Sequence, residues 1–164
     1  MKHPFRGGGR IVPLGLLAVL ILAAGAVPAG AQVALSNGQP YSFLFPPLPA
    51  PYFITGSNGF TILAPPGASR LVITAQMQPR FAEVTLLVRL NAPPGGSGTG
   101  SSVADIAVRP DELGRATVEL SDITHPALAA GIYYIGFEVR QADSDSRYIA
   151  TLTATLEGEE VETW

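Results

Sequence analysis

The chain has 164 residues, with ten basic and 13 acidic side chains and a net charge of −3 at pH 7. It contains no cysteine, which excludes disulfide frameworks, lipidated thiols and cysteine chemistry. Beyond residue 31 there are seven basic and 13 acidic residues, so that part carries −6. Such a charge argues against binding to nucleic acid or to anionic membrane surfaces.

The first 31 residues form a predicted secretory signal peptide. Lys2, Arg6 and Arg10 precede an apolar run, and Ala29 and Ala31 stand at the positions that a signal peptidase recognises. A retained membrane anchor is the alternative, but it needs about 20 apolar residues and a charged stop. Prolines interrupt this run and no basic cluster follows it. We expect cleavage after Ala31, a secreted protein (extracellular or periplasmic), and no membrane insertion after cleavage.

The rest of the chain is predicted to be one domain, residues 32–157, followed by an acidic tail, residues 158–164. A chain of this length can bury a substantial core. The tail ends in Trp164, and a terminal aromatic can mark a strand of an outer-membrane barrel. Barrel strands alternate apolar residues over about ten positions, whereas Gly158 and two glutamates interrupt such alternation.

Eight short runs with period-two alternation, bounded by Gly, Pro, Asn and Asp, predict β-strands. In chain order they are YSFLF (41–45), GFTIL (59–63), LVITAQM (71–77), EVTLLVRL (83–90), VADIAV (103–108), ATVEL (116–120), IYYIGFEV (132–139) and YIATLTATL (148–156). The pattern predicts an all-β fold, an antiparallel two-sheet β-sandwich of jelly-roll type with about eight strands.

The seventh run has a continuous apolar face. Tyr133, Ile135, Phe137 and Val139 alternate along it, so all four are predicted to lie in the core. We interpret Tyr133 as a core anchor whose hydroxyl is hydrogen-bonded near the end of the sheet. Gly131 precedes the run where the chain turns into the strand, a position that favours a positive φ.

Four stretches of this sequence together resemble a known family. They are LSNGQPYSFLF, FTILAPPGASRLVITAQ, AEVTLLVRL and PALAAGIYYIGFEVRQADSDSRYIATLTATLE. In their order and spacing they look like the bacterial pre-peptidase C-terminal domain, across nearly the whole chain after residue 31. The resemblance implies a jelly-roll β-sandwich, found mostly as a non-catalytic appendage of secreted peptidases and other exported enzymes, here as a stand-alone secreted copy.

Calcium is the one cofactor that the resemblance raises. The central strand of the family typically starts with two aspartates, and some relatives, including collagen-binding modules of clostridial collagenases, bind calcium. Glu83 and Thr85 stand at those two positions here, so one carboxylate is lost from a site that needs about 6 to 8 oxygen ligands. Asp143 and Asp145, before the last run, are further calcium candidates, but their loop lacks the other ligands of a known calcium loop, so a solvated turn is the favoured interpretation.

The inventory of reactive side chains argues against an enzyme. After residue 31 the sequence has one histidine, His125, no lysine, and no serine in a G-x-S-x-G motif. A zinc site or a hydrolase triad would lack its partners. Asp105, Asp111 and Glu112 are the carboxylates from which a glycosidase pair would be drawn, but that chemistry needs two of them in a cleft, which nothing in the sequence indicates.

The sequence therefore predicts a secreted, non-catalytic binding or accessory module that recognises a protein or polysaccharide surface. A structural or assembly partner in the bacterial cell envelope, without a dedicated ligand, is the alternative. The two differ in their exposed aromatics, because a binding module is expected to cluster them in one patch. Tyr52, Phe53 and Tyr134 are the candidates for such a patch.

Overall fold

The computed structural model describes residues 32–80, 83–96, 102–140 and 147–158. The predicted signal peptide, Asp143 and Asp145, and the tail beyond Gly158 lie outside these residues. The strands are β1 (Val33–Ala34), β2 (Tyr41–Leu44), β3 (Tyr52–Ile54), β4 (Phe60–Ala64), β5 (Ala68–Gln78), β6 (Val84–Leu90), β7 (Gly95–Gly96), β8 (Ser102–Val103), β9 (Ile106–Val108), β10 (Arg115–Ser121), β11 (Gly131–Val139) and β12 (Ile149–Gly158). One short 3-10 helix, Gly56–Asn58, separates β3 from β4.

The strands form two sheets that pack face to face, which confirms the predicted β-sandwich. The four-stranded sheet has the order β10-β5-β12-β2. The six-stranded sheet has the order β1-β4-β11-β6-β9, and β3 pairs with β11 beyond the end of β4. All pairs are antiparallel except β1 with β4, which is parallel. Strands β7 and β8 form a separate two-stranded ribbon.

Alternation along the long strands places one face of each sheet in the core. On β5 the inward residues Leu71, Ile73, Ala75 and Met77 are at most 1% exposed, as predicted. The partner strand β12 contributes alanines and leucines in the same alternation, while its threonines face outward. Since side chains on a strand point alternately to opposite faces, a single period-two pattern fixes which side of each sheet is buried.

The predicted role of Tyr133 is confirmed. Its ring is 3% exposed, and its hydroxyl accepts a hydrogen bond from the Ala129 N–H at 2.9 Å and donates one to the Ala129 carbonyl at 3.1 Å. Gly131 has a φ of +148°, the positive value that was expected. The tyrosine thus ties the loop before β11 to the end of the sheet.

Part of the outer face of the six-stranded sheet is buried. Thr85 and Leu87 on β6 point outward, yet they are 7% and 0% exposed. The reason is the loop after β6, whose Pro94 packs over Gly136 and accepts a hydrogen bond from the Thr55 hydroxyl. The loop after β6 therefore covers part of this sheet.

A candidate binding groove at the open edge of the sandwich

A groove of about 330 Å³ opens between the two sheets at one edge of the sandwich. One wall comes from β2, the last strand of the four-stranded sheet, and the other from β1, β3 and β4. Its lining includes Tyr41, Phe43, Leu44, Phe53, Ile54 and Phe60. Val33, Pro46, Leu48 and Asn58 complete the lining.

Packed aromatic rings form the floor of this groove. The ring centre of Phe43 lies 4.8 Å from that of Phe60 and 5.5 Å from that of Phe137. Tyr41 lies 5.7 Å from Phe60, in a tilted arrangement. Such tilted and edge-on contacts are favourable for aromatic rings. Because Phe137 is fully buried, the floor of the groove is continuous with the core.

The groove carries no charged side chain, and this follows from the sequence around it. Between residues 32 and 69 there is no Asp, Glu, Lys, Arg or His, and the first charged residue beyond residue 31 is Arg70. All residues that line the groove come from this uncharged segment. Leu48, at the rim, is 50% exposed. The surface suits an apolar, uncharged group.

Strand β2 adds an unpaired backbone edge to the groove. It hydrogen-bonds β12 on one side, and no other described strand pairs with it. The Phe45 N–H donates to the Tyr148 carbonyl at 2.9 Å, and antiparallel residues alternate between bonding inward and outward. The N–H and C=O groups of Ser42 and Leu44 therefore point away from β12.

The three aromatic candidates from the sequence do not come together in one patch. Phe53 lines the groove. Tyr52 is half-buried, and its hydroxyl donates a hydrogen bond to the Pro46 carbonyl at 3.0 Å. Burial raises the pKa of Tyr52 above its ordinary value. Tyr134 lies on the outer face of the six-stranded sheet. Glu138 is the residue of β11 that stands opposite Phe53, and Tyr134 lies four positions before it on the same strand.

The calcium candidates receive little support from the described residues. Glu83 is exposed in the turn before β6, and its carbonyl accepts a hydrogen bond from the Arg140 N–H. Within the described ranges, no group of three or more His, Cys, Asp or Glu side chains is placed to hold a metal ion. Asp143 and Asp145 lie outside those ranges, so their role stays a prediction.

The carboxylates that could serve a glycosidase have other partners. Asp105 accepts a hydrogen bond from the Leu90 N–H at 2.8 Å. Asp111 accepts hydrogen bonds from the N–H groups of Leu113 and Arg115 at 2.8 and 2.9 Å. The Arg115 N–H is the main cause that holds the pKa of Asp111 below its ordinary value. Asp105 thus joins the end of β6 to the segment before β9, and Asp111 fixes the turn before β10.

The sequence contains a signal for the groove besides its aromatic residues. Residues 32–69 carry no charged side chain, although the chain has 23 charged residues in total. Its strand YSFLF is flanked by Pro40 and Pro46, which are typical of an edge strand. That this uncharged edge opens into a groove depends on how the two sheets meet, which the alternation alone does not determine.

Comparison with known proteins assigns no family. A scan against protein-family models gives no match, and no curated protein matches the sequence. In the described part of the chain, no helix is both long and apolar enough to cross a membrane.

Two solved structures are similar in fold. One is the pre-peptidase C-terminal domain of a collagenase from Bacillus anthracis, at 9% identity and a TM-score of 0.46, over 76% of this chain and 94% of that chain. The other is PliG from Aeromonas hydrophila, a periplasmic inhibitor of g-type lysozyme, at 13% identity and a TM-score of 0.39, over 77% and 96%. These similarities concern the fold alone.

Proposed function

We propose that this protein is an exported, non-catalytic binding module that holds an apolar, uncharged part of a partner protein in the groove between β2 and β3. The observation that supports it is the position of the groove. The groove has an aromatic floor and opens at an edge of the sandwich. The residues that line it belong to the segment 32–69, which has no charged side chain. Burying such a surface against an apolar group removes it from water at no cost in desolvated charge.

A protein partner fits this lining better than a polysaccharide does. Sugars present dense hydroxyl groups, and their recognition requires several polar side chains near an aromatic platform. In the lining, Asn58 is the amide and Tyr41 the phenol, while the remaining side chains are apolar. The chemistry therefore favours aliphatic or aromatic side chains of a polypeptide.

The proposal is tested by retention of the exported protein on immobilised partners. The panel consists of collagen, an array of uncharged and charged peptides, chitin, cellulose and peptidoglycan, each with calcium and with chelator. Leu48→Asp places a charge at the groove rim. Leu113→Asp is the matched control, because Leu113 is 74% exposed in the turn before β10. Strand β10 forms the edge of the four-stranded sheet opposite β2.

We expect retention on collagen or on uncharged peptides, loss of retention with Leu48→Asp, and no loss with Leu113→Asp. Retention on a polysaccharide that ignores Leu48→Asp would contradict the groove as the site. No retention on any matrix would favour the alternative of a structural partner in the cell envelope.

A further inference from the structure

We propose that two copies of this chain pair through their β2 edges, antiparallel and about a two-fold axis, so that the two four-stranded sheets become one continuous sheet. The inference goes beyond the proposed function, because the pairing uses the backbone of β2 and requires no ligand.

The first argument is the set of free backbone groups. Ser42 and Leu44 direct their N–H and C=O groups away from β12, as the alternation from the Phe45–Tyr148 hydrogen bond shows. The next outward positions on either side are Pro40 and Pro46, which have no N–H. The edge therefore offers two outward N–H donors, those of Ser42 and Leu44, with a proline at the next outward position on each side.

These prolines specify one register. If Ser42 of one copy stands opposite Leu44 of the other, both residues exchange N–H and C=O bonds, and the symmetry repeats the exchange, so all outward donors are used. Phe43 then faces Phe43 of the second copy across the axis. If Leu44 instead stands opposite Leu44, Ser42 meets Pro46, which has no N–H to donate.

Charge explains why the partner is a second copy. Beyond residue 31 the chain carries −6, so two copies repel each other through their net charge. The β2 edge, the loop after it and β3 all belong to the uncharged segment, residues 32–69. Residues 32–69 therefore bring no like charges together when two copies meet there. Edge strands that must stay unpaired commonly carry charged side chains, and β2 has none.

An exposed apolar pair lies beside the same edge. Leu44 stands opposite Ile149 on the outer face of the sheet, and these side chains are 50% and 48% exposed. In the proposed register Leu44 of one copy lies next to Ser42 of the other, so the pairing covers part of this apolar surface. The partner strand also lies along the mouth of the groove and joins the two grooves across the axis.

The association is measured by analytical ultracentrifugation of the exported protein over a wide range of concentrations. Ser42→Pro removes the outward N–H, whereas Ser42→Ala is its matched control, because both lose the Ser42–Thr151 hydroxyl contact of 2.8 Å. Leu44→Lys places a charge beside Ser42 of the other copy. Leu63→Lys is the control for it, since Leu63 is 64% exposed on β4 in the other sheet. Circular dichroism checks the fold of each variant.

We expect a monomer–dimer equilibrium that survives Ser42→Ala and Leu63→Lys. Ser42→Pro removes two of the four hydrogen bonds between copies and is expected to weaken the dimer by about tenfold or more. Leu44→Lys is expected to weaken the dimer as well. If Ser42→Pro does not fold, Leu44→Lys therefore still tests the inference. In amide hydrogen exchange, Ser42 and Leu44 become protected as the concentration rises, while Phe43 is protected throughout.

Two results would overturn the inference. One is a wild-type protein that stays monomeric at all concentrations. A monomer that binds an extended peptide along β2, and not a second copy, counts as the same result. The other is a dimer that Ser42→Pro and Leu44→Lys leave unchanged. Neither result bears on retention at the groove, which is measured separately with Leu48→Asp.

Discussion

The buried carboxylate of Glu138 is paired with the guanidinium of Arg140 at the end of β11. Arg140 donates to the Glu138 carboxylate from Nε at 3.1 Å and from Nη2 at 3.4 Å. The glutamate side chain is 6% exposed, whereas that of the arginine is 49% exposed. Residues two apart on an extended chain share a face, so one strand supplies both partners. The carboxylate of Glu138 is thus shielded from water, and Arg140 compensates its charge.

Removal of the arginine alone is expected to destabilise the fold. Arg140→Met leaves the Glu138 carboxylate buried with its charge unpaired, and this costs about 1–3 kcal/mol. The double variant Glu138→Gln with Arg140→Met is expected to recover much of the loss. Urea unfolding of the wild type, both single variants and the double variant measures the coupling. A coupling near zero would mean that solvent already screens the pair.

Gly131 is expected to tolerate no side chain. Its φ is +148°, and an added Cβ would lie 2.6 Å from Asn91 Oδ1 and 2.9 Å from Leu90 Cδ1. Gly131→Ala therefore combines backbone strain with a steric overlap, and we expect a loss of about 1–3 kcal/mol.

Gly67 is the matched control for Gly131. Its φ is +93°, but an added Cβ would have nothing within 4 Å, so Gly67→Ala tests the backbone conformation alone and is expected to cost about 1 kcal/mol. Thermal unfolding of both variants gives the comparison. Equal losses would show that the contact with Asn91 contributes nothing.

The strands and their buried faces were predictable because one face of each sheet is fully buried. On β5 and β11 the apolar residues at every second position are the ones that lie in the core, and Tyr133 is bonded as expected. Period-two alternation is a local property of the chain, so it can be recognised without knowledge of the neighbouring strands.

What could not be predicted depends on contacts between distant segments. Leu87 is buried on an outward face because Pro94 and its loop fold back over Gly136. The parallel pairing of β1 with β4 involves a strand of two residues, too short to show alternation. The groove arises where β2 and β3 end different sheets. In each case the burial comes from packing across the sandwich, which no local pattern records.

The aromatic floor of the groove is expected to contribute unequally to stability. Phe137 is 0% exposed and contacts Phe43, Phe45 and Phe60, so Phe137→Ala leaves a cavity and costs about 3–5 kcal/mol. Phe43 lines the open groove and is half-buried, so Phe43→Ala is expected to cost less, because water can enter the space. Urea unfolding ranks the two variants, and the reverse order would show that the groove is closed in solution.

Acid is expected to weaken the turn before β10 through Asp111. The hydrogen bond from the Arg115 N–H is the main cause that lowers the pKa of Asp111 below its ordinary value of 3.8, and the Leu113 N–H also contributes. A carboxyl whose pKa is lower in the folded state stabilises the fold above its unfolded pKa, and this contribution is lost as the pH falls through the folded pKa. In Asp111→Asn the side chain keeps an acceptor oxygen but no longer titrates. The stability of this variant should therefore fall less steeply than that of the wild type below pH 3.8.

Urea unfolding at a series of pH values compares the wild type with Asp111→Asn and with Glu112→Gln, which removes an exposed carboxyl one residue further along. The expected result is a shallower acid limb for Asp111→Asn than for Glu112→Gln. An NMR titration of the Asp111 carboxyl provides the independent check. If it titrates at or above 3.8, its two hydrogen bonds are not maintained in solution, and the turn would have to be held by the Gly114 N–H, which donates to the Asp111 carbonyl at 3.0 Å.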